Sequence, residues 1–343
     1  MNIKDSKVSG QHTKIKTIDM HTCGEPVRVV IDGYPEVEGE TILQKRNFLK
    51  ENYDHLRTAL MFEPRGHADM YGLVVVEPQN SDSDFGVLFM HNEGYSTMCG
   101  HATIAITKLA VQLGWIKKVS PVTHLKIDAP CGQLNAYATI GKGGAIESVK
   151  FDCVPSFVVA LDEQVQVEGL GEIRYDLAYG GAFYTYVDAE AISLSLDKDN
   201  VNQIIDYGRR IKQAVINSKN NIIHPVEKDL SFLYGTIFIS GKSQYHSKNV
   251  CVFADGEVDR SPTGSGLSGR AAIHYQRGDI ALNESITVES ILGTTFDVKV
   301  VSEVNYGNFA AVIPQVTGNA SITGEHTFLI DEEDELKYGF ILR

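Results

Sequence analysis

The sequence lacks the short motifs by which cofactor-dependent, metal-dependent and membrane proteins are usually recognised. It contains no GxGxxG or GxxxxGK[ST] segment, so nothing in it indicates a nucleotide cofactor. It contains no CxxC pair and no HExxH segment, which leaves a bound metal without support. No run approaches the roughly 18 consecutive apolar residues of a membrane span. We therefore expect no cofactor, no metal and no membrane partner.

Cysteine and basic residues are also scarce. The five cysteines are an odd number without regular spacing, which argues against a disulfide scaffold and for a reducing cytoplasm. Residues 1–11 are polar and lack the apolar centre of a signal peptide. The 31 basic residues are outnumbered by 44 acidic ones, giving a net charge of −13. Because phosphate binding needs a basic face, this balance disfavours a nucleic-acid partner but not a small anionic substrate.

Alternating short strands and a few helices are predicted along the 343 residues, a length that favours two domains. Strands are predicted where apolar and β-branched residues cluster, at 27–31, 73–77, 87–90, 125–127 and 237–239. Amphipathic helices covering a sheet are predicted from apolar residues at helical spacing: Leu49, Tyr53, Leu56 and Leu60, and then Ile204, Ile211 and Val215. Residues 101–113 are apolar on nearly every face, which predicts a helix buried inside a curved sheet. The fold class is therefore α+β.

The two halves of the chain resemble each other at two predicted helix starts. The segment 97–100 (TMCG) precedes the buried helix, and the segment 261–264 (SPTG) precedes a run rich in glycine, alanine and serine. In each segment a hydroxyl residue suits the N-cap, and Pro262 suits the first helical position. Cys99 and Thr263 are then expected at equivalent places in the first turns of two helices.

A helix N-terminus presents unpaired N–H groups and the positive end of the helix dipole. We expect this environment to lower the pKa of Cys99 towards neutrality, so that its thiolate acts as a base. Two such termini facing each other can hold a substrate carboxylate and stabilise the charge that forms when an α-proton leaves. The alternative is that Cys99 is a small buried apolar residue, the usual role of a free cysteine.

Several longer runs resemble the proline racemase superfamily over nearly the whole chain. They are MCGHATIAI (98–106), DRSPTGSG (259–266), IDMHTCGEPVRVV (18–30), EPRGHADMYG (63–72), YGGAFYTYVD (179–188), ESILGTTF (289–296) and PQVTGNASITGEHTFLID (314–331). The resemblance implies a diaminopimelate-epimerase-like fold, in which two similar domains each wrap a curved sheet around a central helix. It implies a first domain of 1–157 plus 320–343 carrying Cys99, a second of 158–319 carrying Asp259 and Thr263, an active site between them, and a homodimer.

The sequence departs from the racemases and hydroxyproline epimerases of this superfamily at Thr263, where they carry a second cysteine. Racemisation needs a base on each face of the ring carbon, and a threonine hydroxyl has no acid or base function near pH 7. The Cys99 and Thr263 pair instead resembles the trans-3-hydroxy-L-proline dehydratase branch. That resemblance implies a cofactor-independent lyase that forms Δ1-pyrroline-2-carboxylate.

The same resemblance assigns the substrate-binding residues. Asp259 and His101 are expected to bind the ring nitrogen as an ammonium, and backbone groups of Gly100, His101, Gly264 and Ser265 to hold the carboxylate. In trans-3-hydroxy-L-proline the hydroxyl and the α-hydrogen lie on one ring face, so a single face suffices for the elimination. Cys99 would take the proton and help to protonate the leaving hydroxyl, through water or His101, while Thr263 closes the opposite face.

Three other functions remain open at this stage. An isomerase, either a proline racemase or a 4-hydroxyproline 2-epimerase, keeps Cys99 but needs another proton donor for the second face. An acyl-transfer or redox thiol needs a partner histidine, and His101 is expected to point away from the sulfur. A non-catalytic amino-acid binder would need no thiolate.

The remaining polar and aromatic motifs are weaker candidates. His21, Glu25 and Arg28 suit either the site or a structural ion pair, and residues 63–67 are expected to brace loops. Tyr179, Phe183 and Tyr184 suit either a pocket wall or the core. The other four cysteines are interpreted as structural: Cys23, Cys131, Cys153 and Cys251.

Overall fold

A computed structural model describes residues 12–218, 222–243 and 246–342, and the polar segment 1–11 lies outside these ranges. The helices of the described residues are α1 Ile42–Asn52, α2 Asp54–Met61, α3 Gly100–Gln112, α4 Val201–Asn217 and α5 Gly264–Arg277. The strands are β1 His12–Thr22, β2 Glu25–Asp32, β3 Gly72–Val76, β4 Phe85–Met90, β5 Val122–Ala129, β6 Gly132–Ile140, β7 Ile146–Asp152, β8 Ser156–Val167, β9 Gly171–Tyr179, β10 Phe183–Asp188, β11 Leu233–Ser243, β12 His246–Phe253, β13 Glu257–Val258, β14 Ser285–Glu289, β15 Thr295–Tyr306, β16 Phe309–Gly318 and β17 Ala320–Asp331. All five predicted strand segments lie in or overlap strands, and no helix of the described residues is long and apolar enough to span a membrane.

Sixteen of these 17 strands pair in two series of eight, and the two-residue β13 pairs with β12. The first series runs β17-β1-β2-β3-β4-β5-β6-β7, so the last strand of the chain pairs with the first. The second runs β8-β9-β10-β11-β12-β14-β15-β16, and β16 also pairs with β8, which closes this series into a barrel. The end of β16 pairs with β7 and joins the two series.

Each series contains two parallel strand pairs at corresponding places. Strands β2 and β3 are parallel and are connected through α1 and α2, and β4 and β5 are parallel and are connected through α3. In the second series α4 connects β10 to β11 and α5 connects β12 to β14. A parallel pair needs such a crossover, whereas the antiparallel neighbours need only turns. The two halves are therefore built alike, and α3 and α5 occupy corresponding positions.

These two helices form the centre of the two halves. All residues of α3 are buried except Lys108 and Gln112, and the helix packs against β1, β2, β6, β7 and β17. The first ten residues of α5 are buried against β8, β9, β10, β15 and β16. The prediction of a buried helix within a curved sheet is confirmed. The domain boundaries at 157, 158 and 320 stay a prediction.

The outer helices differ from the prediction at one place. Leu49, Tyr53, Leu56 and Leu60 were expected on one helix, but Tyr53 leaves helical geometry and separates α1 from α2. Asp54 begins α2 and accepts two hydrogen bonds from Arg57, so the second helix has its own charged first turn. The helix predicted from Ile204, Ile211 and Val215 is α4, and all three side chains are buried.

Candidate active site

The N-termini of α3 and α5 touch at their first residues. A Cβ atom on Gly100 would lie 2.6 Å from the Cα of Gly264, and a Cβ on Gly264 would lie 2.8 Å from the Cα of Gly100. Glycine is needed at both positions, because a Cβ on either residue would collide with the backbone of the other helix. Because the first amide groups of each helix have no partner within their own helix, the contact brings two sets of N–H donors to one place.

Cys99 is the N-cap residue of α3, and its exposed fraction is 5%. The sulfur accepts a hydrogen bond from the Ala102 amide at 3.3 Å. It also lies 3.1 Å from Nδ1 of His101. The expectation that the His101 ring points away from the sulfur is therefore wrong. The ring turns back over the first turn of the helix, and a thiol–imidazole pair forms two residues apart.

The pKa of the Cys99 thiol is raised well above its usual value, which is opposite to the prediction. Burial is the largest cause, and Asp259 and Glu25 raise the pKa further by charge repulsion. Hydrogen bonds from the Ala102 amide and from Tyr71 lower it but do not compensate. Burial also lowers the pKa of His101 to about 3, although the Pro26 carbonyl opposes that shift. Both groups of the pair are therefore neutral near pH 7.

Thr263 is the N-cap residue of α5, so it matches Cys99 in position, as the sequence predicts. It adopts a left-handed conformation, with φ 68°, and its side chain makes no capping hydrogen bond. Pro262 lies before the N-cap, so its expected place at the first helical position is wrong. The turn is held instead by side chains, since Ser261 Oγ accepts from the Thr263 amide and Asp259 Oδ1 accepts from the Ser261 amide.

Three buried groups that bind cations well converge beside the sulfur. Ligand atoms of Glu25, His101 and Asp259 all lie within 4.8 Å of one another. Oε2 of Glu25 accepts the Arg260 amide at 2.6 Å, while Oε1 is buried without a hydrogen bond among the described residues. Burial raises the pKa of Asp259 to about 6 and raises that of Glu25 well above its usual value. A metal ion or an organic ammonium would fit this cluster.

The cavity between the helix starts has a volume of about 20 Å³. It is lined by all seven of the predicted site residues, and by five aromatic or apolar residues: Tyr71, Met98, Tyr184, Tyr234 and Phe253. This volume holds about one water molecule, so a five-membered ring enters only if the walls move apart. Tyr234 also lines a neighbouring groove of about 680 Å³.

Two tyrosine–serine pairs flank the cavity, one from each half of the chain. The Tyr71 hydroxyl lies 2.5 Å from Ser96 Oγ, and the Tyr184 hydroxyl lies 2.8 Å from Ser265 Oγ. Sequence reasoning proposed Tyr184 but missed Tyr71. Its position directly before β3, inside the EPRGHADMYG run, was the available signal.

The other candidates are divided between the site and the scaffold. Glu25 belongs to the site, whereas Arg28 forms a buried ion pair with Asp19 at 2.8 Å. Arg65 donates to two backbone carbonyls of the C-terminal segment, so the 63–67 run does brace loops. Two other aromatic candidates, Tyr179 and Phe183, pack in a separate cluster with Phe157 and His224.

Curated relatives match the chain over almost its full length. A trans-3-hydroxy-L-proline dehydratase of Colwellia psychrerythraea is 53% identical over 331 residues, covering 96% of this chain and 93% of the relative. A 3-hydroxyproline 2-epimerase of Burkholderia multivorans is 45% identical and covers 96% and 98% of the two chains. Relatives of high similarity thus carry names from both a lyase and an isomerase.

A solved structure has the same fold as this chain over almost its full length. The crystal structure of a hydroxyproline epimerase from Agrobacterium vitis, with bound trans-4-hydroxy-L-proline, superposes with a TM-score of 0.90 at 30% identity. It covers 96% of each chain. The predicted epimerase-like α+β fold is confirmed. Residues 17–341 match the proline racemase family, and the chain belongs to that family.

Proposed function

We propose that this protein dehydrates trans-3-hydroxy-L-proline to Δ1-pyrroline-2-carboxylate, with Cys99 as the base. The observation that carries the proposal is the unequal pair of helix starts in one cavity, with a sulfur at one and the Thr263 hydroxyl at the other. Only one side of a bound ring then has a group able to take a proton near pH 7. The dehydratase names of several relatives at 45% to 53% identity support the same reaction.

The substrate carboxylate binds between the two helix N-termini. Gly100, His101, Gly264 and Ser265 line the cavity there, and the unpaired first amides and dipoles of the two helices favour negative charge at the same point. When the α-proton leaves, charge moves into this carboxylate and the same donors stabilise it. The contact between the two glycines keeps both sets of donors within reach of one carboxylate.

The ring ammonium binds at Glu25, Asp259 and His101. A cation there supplies the partner that Glu25 Oε1 lacks among the described residues, and it needs a neutral histidine, which burial of His101 provides. The cation also neutralises the two carboxylates that raise the pKa of Cys99. Substrate binding thereby favours the thiolate, and the thiol proton passes to solvent through Nδ1 of His101, 3.1 Å from the sulfur, so that the imidazole is neutral again in the chemical step.

Cys99 then takes the α-proton, and the 3-hydroxyl leaves as water from the same face. The first product is the enamine Δ2-pyrroline-2-carboxylate, which tautomerises to the imine. Thr263 closes the opposite face with a hydroxyl that neither delivers nor accepts a proton near pH 7. The configuration at the α-carbon is lost by elimination and not by inversion.

The alternatives meet specific difficulties at this site. An epimerase needs a proton donor on the Thr263 face. Because a relative from Burkholderia multivorans is named a 3-hydroxyproline 2-epimerase, the experiment below also measures epimerase activity. The contact between Cys99 and His101 removes the geometric objection to an acyl-transfer thiol. The names of the relatives, a lyase and an isomerase, nevertheless give an acyl-transfer reaction no support.

The test is incubation of the purified protein with trans-3-hydroxy-L-proline, trans-4-hydroxy-L-proline and L-proline. An imine that reacts with o-aminobenzaldehyde is expected from the first substrate alone. Cys99→Ser should lower this rate by about 10²- to 10⁴-fold, because the base is lost. The matched control is Cys131→Ser, which makes the same change at another buried cysteine outside the cavity and should retain the rate.

Thr263→Cys completes the experiment. A second sulfur on the opposite face should add racemase or epimerase activity, seen as a change of optical rotation without imine. Optical change without imine from the parent protein would favour the isomerase, and the absence of both would contradict the proposal. The cytoplasmic location and the homodimer stay predictions, and all five cysteines are free of disulfides in the structure.

A further inference from the structure

Tyr71 is a buried phenol that lines the cavity together with Cys99. It precedes β3 in the same half of the chain as the sulfur, and its ring meets the His101 ring edge-on, with centroids 4.7 Å apart. Its exposed fraction is 1%, and it lines the cavity beside Cys99. The hydroxyl is fixed by Ser96 at 2.5 Å, and Ser96 is itself fully buried. The phenol is thus held rigidly on the Cys99 side.

The proposed dehydration, on which this inference rests, needs a proton donor on that side. The 3-hydroxyl and the α-hydrogen share one face of the ring, and hydroxide is a poor leaving group unless it is protonated as it departs. Cys99 has just received the α-proton and is the base in the same step. A second group beside the sulfur is therefore required.

We propose that Tyr71 protonates the leaving 3-hydroxyl. The Cys99 thiolate takes the α-proton, the electron pair of that C–H bond forms the ring double bond, and the C3–O bond breaks as the Tyr71 hydroxyl transfers its proton to the oxygen. The Tyr71 phenolate then takes the proton from the Cys99 thiol. The cycle releases one water and returns both side chains to their starting forms, so no further reactant is needed.

The other polar groups of the cavity are less suited to this task. His101 is neutral near pH 7 because burial lowers its pKa to about 3, and its Nδ1 already faces the sulfur at 3.1 Å. Thr263 belongs to the opposite helix start. Tyr71, in contrast, stays protonated because burial raises its pKa, and its hydroxyl also helps to lower the pKa of Cys99.

The test separates proton abstraction from loss of water. Parent and Tyr71→Phe proteins are incubated with trans-3-hydroxy-L-proline in D2O, and two quantities are measured: imine formed, and deuterium at the α-carbon of recovered substrate. Tyr71→Phe should lower imine formation by about 10²-fold or more, the usual contribution of a general acid. The ratio of deuterium incorporation to imine should rise by at least the factor by which imine formation falls, because Cys99 still removes the α-proton.

Tyr184→Phe is the matched control, since it removes the phenol of the corresponding tyrosine–serine pair in the other half. Any loss it causes should leave the ratio unchanged. An unchanged ratio in Tyr71→Phe, a loss of both signals, or an equal rise in Tyr184→Phe would each overturn the inference. If Tyr71→Phe does not fold, Ser96→Ala decides, with a smaller rise of the ratio expected and an unchanged ratio contradicting it. A parent protein that forms no imine refutes the proposed function instead.

Discussion

Replacing Gly100 by alanine tests whether the contact between the two helix starts is essential. The new Cβ would lie 2.6 Å from Gly264 Cα, 3.0 Å from Gly264 C and 3.1 Å from Phe151 Cζ. Two of these atoms are backbone, and the third is the tip of a fully buried ring. None can be displaced by a simple rotamer change, so the first turns of α3 and α5 must move apart.

Two effects of opposite sign determine the stability of Gly100→Ala. Alanine has a higher helix propensity than glycine, which favours the variant by up to about 1 kcal/mol. Overpacking a closely packed interior costs about 1–3 kcal/mol, and here the obstacles are backbone atoms. We expect the steric effect to exceed the propensity, so the free energy of unfolding should fall by about 1–2 kcal/mol.

The loss of activity should exceed the loss of folded protein. Separating the helix starts by even a few tenths of an ångström weakens the hydrogen bonds from both helices to one carboxylate. In other enzymes, removing one such donor lowers turnover by about 10²-fold. We therefore expect imine formation by Gly100→Ala to fall by at least about 10-fold under conditions where the protein is fully folded.

Urea unfolding and imine formation measure the two effects. The control is Gly94→Ala, because no atom lies within 4 Å of a Cβ at Gly94 and its φ is not positive. That variant should keep or slightly gain stability, as alanine restricts the unfolded chain. If Gly100→Ala matches Gly94→Ala in both stability and turnover, the contact between the helix starts does not organise the site.

Two further perturbations test the charges of the site and of the scaffold. The pKa of Asp259 is about 6, so the carboxylate that binds the ammonium is lost as the pH falls through 6, and KM should rise between pH 7 and pH 5. Asp259→Asn should raise KM at pH 7 and reduce this dependence; a parent KM that is constant over the range contradicts the assignment. Arg28→Met should lower the free energy of unfolding by about 3 kcal/mol, since it removes the guanidinium from Asp19 and leaves that carboxylate only Thr17 Oγ1 at 3.0 Å and His326 Nε2 at 3.5 Å. Lys16→Met breaks an exposed ion pair as the control and should cost under about 1 kcal/mol in the same urea experiment.

The parts of the site that could be predicted from the sequence are those encoded locally. Cys99 and Thr263 each stand one residue before a helix, and capping residues followed by small or apolar runs are visible in the sequence. The duplication of that pattern predicted that the two positions correspond, and the parallel crossovers through α3 and α5 show why. The burial of α3 was also predictable from the local sequence, since apolar residues occupy nearly every face of the helix.

The parts that could not be predicted depend on contacts between distant segments. Glu25 enters the site because its carboxylate accepts the amide of Arg260, which is 235 positions away. Tyr71 enters because β3 lies beside β2 and β4, a neighbourhood fixed by strand order and not by spacing. Glu25 and Arg28 are three residues apart on β2, yet Arg28 forms a structural ion pair and Glu25 lies beside His101 and Asp259. Residue type and spacing alone do not show which of the two belongs to the site.

The ionisation of Cys99 could not be predicted because two physical effects of opposite sign act at a helix N-terminus. The amide of Ala102 favours the thiolate, as expected for a cysteine at a helix N-terminus. Burial disfavours the charged form of the side chain, and it is the larger effect here. The outcome has a chemical consequence. A thiol that burial keeps neutral is a poor target for oxidants in the empty cavity, because the thiolate is the form that reacts. A substrate ammonium that neutralises Asp259 and Glu25 removes two of the effects that raise this pKa, so a cationic amino acid should favour the thiolate more than a carboxylic acid of similar shape without the amine.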